Sequence, residues 1–148
     1  MMTQIMSKWI VALLLLAGSV SVIAADAVQI SNAWARATAP GQEVGAAYMT
    51  LKSATTLQVT QAETKIAEAV EIHEMTMKDG VMKMRMMEIL DLPAGKEVHL
   101  EPGGFHFMLF DLKEPLKAGS SFDLILNIKD AQGKTSKQTV KVPVKPRQ

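Results

Sequence analysis

Four residues in the middle of the chain have the types and spacing of a metal site. His73 is followed after ten residues by Met84, after a further twenty-one by His106, and two along by Met108. The segment they bound holds all three histidines of the chain and seven of its eleven methionines. Thioether is a soft donor that favours Cu(I), and imidazole serves copper in either oxidation state. Two neutral imidazoles and two thioethers bring no negative charge, so the set suits Cu(I) better than Zn(II) or Cu(II) and offers a d¹⁰ ion a tetrahedral or distorted shell. The chain has no cysteine, which excludes a blue-copper centre built on a thiolate. No carboxylate stands in the pattern to activate water, and a Ser-His-Asp arrangement would need histidines already engaged there. Hydrolysis is therefore a poor reading, and the chain is read as a binding protein, not an enzyme.

Strand alternation brings these side chains to common faces. FHFMLFDL is a strongly patterned strand that puts His106 and Met108 on one face and Phe105, Phe107 and Leu109 on the other. AEAVEIHEMTM is a second, with Glu71, His73, Met75 and Met77 opposite Val70 and Ile72. Asp79-Gly80 is the strongest hairpin signal in the chain. Its return strand VMKMRMME sets Met82, Met84 and Met86 on one face and Lys83 and Arg85 on the other. A tight hairpin places the two methionine faces close together, so two pairs of ligands can converge from a hairpin and a distant strand. Alternation turns Glu74 away from His73.

The remaining segments also read as strands: VQISNAWARAT (with Val28, Ile30 and Trp34 alternating), AAYMTLKSA, LQVTQAET, SFDLILNIKD and TSKQTVKVPV. Turn signals at APGQEVG, EPLKAGS and AQGK separate them. LDLPAGKEVHLEPGG is expected to be mostly connection, and Pro143 suggests that the last strand lies at an edge. The weakly helical stretch TKIAEAVEI is read as strand, since no long segment keeps a 3.6-residue period. Seven to nine short strands imply an all-β, Greek-key sandwich.

At 148 residues the chain has room for one domain. Lys8 precedes IVALLLLAGSVSVIA, an apolar run ending in small residues, the pattern of a secretory leader. Residues 1–25 are assigned to this signal peptide and 26–148 to the exported domain, with cleavage after Ala24, Ala25 or Ala27. The competing reading is an uncleaved anchor, because Trp9 to Ala25 approaches the minimum of about 17 residues for a span; cleavage would leave no stable membrane anchor. Without cysteine there is no disulfide framework, so the apolar core alone holds the domain. Sixteen Lys and Arg stand against fifteen Asp and Glu, and of these only Lys8 lies in the leader. A near-neutral domain lacks the basic footprint of a nucleic-acid partner.

The His-x10-Met-x21-His-x-Met spacing resembles that of the periplasmic copper chaperones written PCu(A)C, the former DUF461 group. AWARATAPGQEVGAAYMTL is similar to the family's opening block, carried here by Trp34, Arg36, Thr38, Pro40, Gly41, Gly45 and Tyr48. HEMTMKDGVMKMR resembles its metal hairpin, LPAGKEVHLEPGGFHFML its second ligand segment, and LKEPLKAG a further block. The resemblance implies a cupredoxin-like β-sandwich in the periplasm that binds one Cu(I) near its surface through His73, Met84, His106 and Met108, with Met75 at an optional position. It implies partners that donate or accept copper, among them cytochrome c oxidase subunit II during assembly of its CuA centre. Some members carry a His- and Met-rich C-terminal extension; this chain ends in KVPVKPRQ, so a second site of that kind is not expected.

Blander readings stand beside this one. A lone histidine is more often a surface group, as expected for His99. Met75, Met77, Met82, Met86 and Met87 taken singly suit adaptable core filling. Two alternatives to a copper-delivering chaperone follow: a periplasmic copper-sequestering or tolerance protein, and an exported β-sandwich interaction module that binds no metal.

Overall fold

A computed structural model describes residues 27–147; the leader assigned to residues 1–25 lies outside them. The described residues form ten strands and no helix: β1 (Gln29–Arg36), β2 (Gly45–Lys52), β3 (Leu57–Glu63), β4 (Ala67–Lys78), β5 (Val81–Met87), β6 (Leu90–Leu92), β7 (Glu97–Leu100), β8 (Phe105–Leu112), β9 (Ser121–Asp130) and β10 (Thr135–Lys145). Their order is β5-β4-β8-β7-β2-β1-β10-β9-β3-β6, with further pairing of β8 to β2 and of β4 to β3. The β3–β4 contact, Ala62 opposite Val70, closes the sheet on itself. The result is an all-β, cupredoxin-like Greek-key sandwich whose two layers are continuous, a flattened barrel.

Side-chain alternation fills the interior. Phe107 and Leu109 of β8, Met49 and Leu51 of β2, Leu124, Leu126 and Ile128 of β9, and Val142 of β10 are all buried in one cluster. Burying large apolar side chains contributes about 1.5–3 kcal/mol apiece, and in a cysteine-free domain this is the main source of cohesion.

Three expectations are corrected. The segment expected to be mostly connection holds two short strands, β6 on β3 and β7 on β2, whose Leu90, Leu92 and Leu100 are buried; their ladders are too short to outweigh the Pro and Gly signals around them. Trp34 does not alternate with Val28 and Ile30. Asn32 adopts φ 52 and the register slips between Ser31 and Trp34, so the bulge turns Ala35 into the core and Trp34 outward. Pro143 does not mark an edge: it pairs with Ser121 of β9, and the parallel pairing with β1 engages only Val144 and Lys145. Its missing N–H falls just before that second ladder begins.

The hairpin sets the site's most distinctive feature. Asp79 and Gly80 both take positive φ, 53 and 72, as a two-residue turn matched to strand twist requires. Pairing of β4 with β8 ends at Glu74 opposite Phe105, while pairing with β5 runs from Ile72 to Lys78. Beyond Glu74 the ribbon therefore overshoots the barrel.

Candidate metal centre

His73 of β4 stands directly opposite His106 of β8, their ring centroids 5.7 Å apart. Both lie on the outward face of the sheet, since their neighbours Ile72 and Phe107 point into the core. Yet the two residues are only 9% and 4% exposed. Neighbouring rings cover them. Tyr48 lies 6.3 Å from His106 and Trp34 stacks on Tyr48 at 4.7 Å, while Phe110 lies 5.9 Å from His73 on the other side. The bulge in β1 is what delivers Trp34 to this row, and Lys145 sits over its ring at 5.3 Å.

Each imidazole has one nitrogen held by the protein. Nδ1–H of His106 donates to the carbonyl of Gly104 at 3.2 Å, which leaves the Nε2 lone pair uncommitted. Nε2–H of His73 donates to the carboxylate of Glu71 at 2.7 Å, and its Nδ1 is buried without a hydrogen-bond partner. A buried nitrogen lone pair without a partner is costly in an apo protein, and a metal ion satisfies it. Fixing one ring nitrogen to orient the other is how supporting partners prepare histidine ligands. Burial holds the His106 pKa below its ordinary 6.5; the nearby His73 acts in the same direction and the Gly104 carbonyl opposes. Burial also raises the Tyr48 hydroxyl, against a smaller opposing effect of Arg36.

The methionines flank the pair in different rows. Met84 of β5 is opposite Met75 of β4, one row towards the hairpin tip. Met108 of β8 is opposite Glu71 of β4 and Ala46 of β2, one row the other way. The structure thus joins His73 to His106 directly and does not make Met84 and Met108 neighbours. Both are diagonal to His73, a separation of about 7–8 Å that long side chains can cross. Met75 is two residues from His73 on the same face, and its N–H donates to the Gly104 carbonyl at 3.0 Å. Met84 is 44% exposed, and Met108 borders a cleft of about 380 Å³ that Arg36, Gln42, Tyr48 and Arg147 also line. Among the described residues no three His, Asp or Glu side chains gather to hold a metal.

Two expectations on neighbouring residues agree with the geometry. Glu74 points to the other face, where Arg85 holds it at 2.6 Å, and His99 is exposed beside Thr50 and Glu97. Glu71 was missed as the partner of His73. Its position two residues earlier on the same strand face was the available signal.

A family model described as "Putative lipoprotein LpqE-like" matches residues 28–144. The protein called "Putative lipoprotein Lxx21020" from Leifsonia xyli is 37% identical over 122 residues, which cover 82% of this chain and 71% of that one. Among solved structures, the Cu(I) form of DR1885 from Deinococcus radiodurans is 30% identical with a TM-score of 0.61, over 87% of this chain and 85% of that one. The copper-bound PCuAC domain from PmoF2 superposes with a TM-score of 0.67 at 19% identity, over 84% of this chain and 97% of the domain. At that identity the likeness is one of fold.

Proposed function

This chain belongs to the LpqE-like family, and on that premise we propose that it is an exported Cu(I)-binding metallochaperone of the PCu(A)C (DUF461) type, a carrier without turnover. The observation that carries the reading is the direct opposition of His73 and His106, each with one ring nitrogen engaged and the other left over. Copper is the cargo. Nδ1 of His73 and Nε2 of His106 hold it, and the thioethers of Met84 and Met108 close on it from the two sides, with Met75 as an alternative arm. Methionine has the torsional freedom for this reach. Support comes also from the relative DR1885, solved with Cu(I) at 30% identity to this chain.

A carrier must keep copper out of free solution and yet give it up. Neutral ligands on a protruding hairpin and an adjoining strand allow a partner's donors to replace them one at a time. The recipient we propose is the CuA centre of cytochrome c oxidase subunit II or another periplasmic carrier. Residues 1–25 act as the leader and 26–148 as the periplasmic domain. These 148 residues contain no cysteine thiol to carry a lipid, so the lipoprotein part of the relative's name is not transferred.

The test is titration of the purified domain with Cu(I) under reducing conditions against a chromophoric chelator. One tightly held ion, lost in His73→Ala, is the expected result. No binding, or binding unchanged by that substitution, would end the proposal.

A further inference from the structure

The hairpin carries more thioether than one copper site uses. Met77 lies opposite Met82, Met75 opposite Met84, and Met86 opposite His73, so all five side chains occupy the face that bears the histidine. The core-filling reading fails for three of them, since Met77 is 69% exposed, Met82 55% and Met86 57%; Met84 is 44% exposed as well. The other face of the same ribbon carries Thr76, Lys78, Lys83 and Arg85 beside Val81, so the thioethers beyond Glu74 all lie on one face. Directly opposed residues have Cβ atoms about 4.5–5.5 Å apart, close enough for two thioethers to share an ion.

We propose that Met77 and Met82, with Met75 as a third thioether, form a second and weaker Cu(I) site near the hairpin tip, from which the ion passes by way of Met84 to the His73–His106 pair. The destination rests on the proposed function above; the outer donors do not. Thioethers are soft ligands that favour Cu(I) and carry no proton to lose. Transfer is therefore exchange of one neutral donor for another, with copper staying Cu(I) throughout and no electron or proton moved. The outer site binds independently of pH in the range where imidazole titrates, unlike the inner one.

The experiment follows the methionine methyl resonances of residues 26–148, carbon-13 labelled at those methyls, during addition of Cu(I) under reductant. The first equivalent is expected to shift Met84 and Met108, and the second to shift Met77 and Met82. The double variant Met77→Leu/Met82→Leu keeps apolar side chains of similar size at exposed positions, so the fold persists, and it should lose the second ion and retain the first. His73→Ala/His106→Ala should do the reverse. Unshifted Met77 and Met82 methyls in excess Cu(I), as for a surface that only docks a protein, would overturn the outer site, as would two ions bound by the leucine variant. A shift of those methyls alone, with Met84 and Met108 unmoved, would preserve the outer site and remove the inner one.

Discussion

The imidazole of His106 and the backbone amide of Met75 share one acceptor, the carbonyl of Gly104, at 3.2 and 3.0 Å. The bond to Met75 extends the β4–β8 contact one residue past Glu74, and the bond to His106 fixes the tautomer of a ring on the opposite strand. Orientation of the imidazole is thereby tied to strand register, which the core beneath it enforces through Phe107.

His106→Ala should weaken Cu(I) binding by more than the roughly 10–100-fold that loss of a supporting partner costs. Competition against a chromophoric chelator measures it. A change smaller than tenfold would place the ion elsewhere.

Removing the carboxylate that holds His73 should have a milder effect. Glu71→Ala is expected to lower Cu(I) affinity by about 10–100-fold while the far-ultraviolet spectrum stays that of an all-β domain. Tighter binding in this variant would mean that the metal uses Nε2 of His73 and that Glu71 competes for it.

Acid should release copper later than an exposed imidazole would allow. His106 ligates only when neutral, and burial holds its pKa below 6.5. The part of the affinity that His106 supplies should stay level above 6.5 and fall as pH drops through the depressed value. The same sign applies to the apo fold: a histidine with a lowered folded pKa contributes stability present above 6.5 and lost as pH falls through the folded value. Chelator competition and urea unfolding between about pH 8 and pH 5 read the two effects. A His106 ring that titrates at or above 6.5, followed by its own proton resonances, would contradict both.

Phe107 lies between the two proposed ligands of β8 and is fully buried on the inner face. Phe107→Ala should cost about 3–5 kcal/mol of stability, read as a shifted urea midpoint. A loss under 1 kcal/mol would show that the site's footing does not depend on that ring.

Much of this site was legible in the chain because alternation within a strand needs no tertiary information. Parity alone placed Met75 and Met77 with His73, put Met108 with His106, and turned Glu74 away. Glu71 was available by the same rule. Parity does not say which strands pair, so the opposition of His73 and His106, on strands far apart in sequence, became visible only in the fold. Trp34 was misread because a single left-handed residue, Asn32, reversed the alternation after it. The exposure of the hairpin methionines was hidden for another reason: it depends on where β8 begins, and Phe105 starts that strand too late to cover the ribbon's tip.

The overshoot of the hairpin past Glu74 separates two scales of motion. Residues beyond Met75, whose amide still bonds Gly104, are held chiefly by each other across the ribbon, so their amides can open and exchange with solvent at a small fraction of the free energy that unfolds the barrel. The sulfur arm from β5 can thus swing away while the imidazoles stay seated on rigid strands. For a carrier of the proposed kind, release would then need only fraying of a ribbon, with the body of the protein left folded.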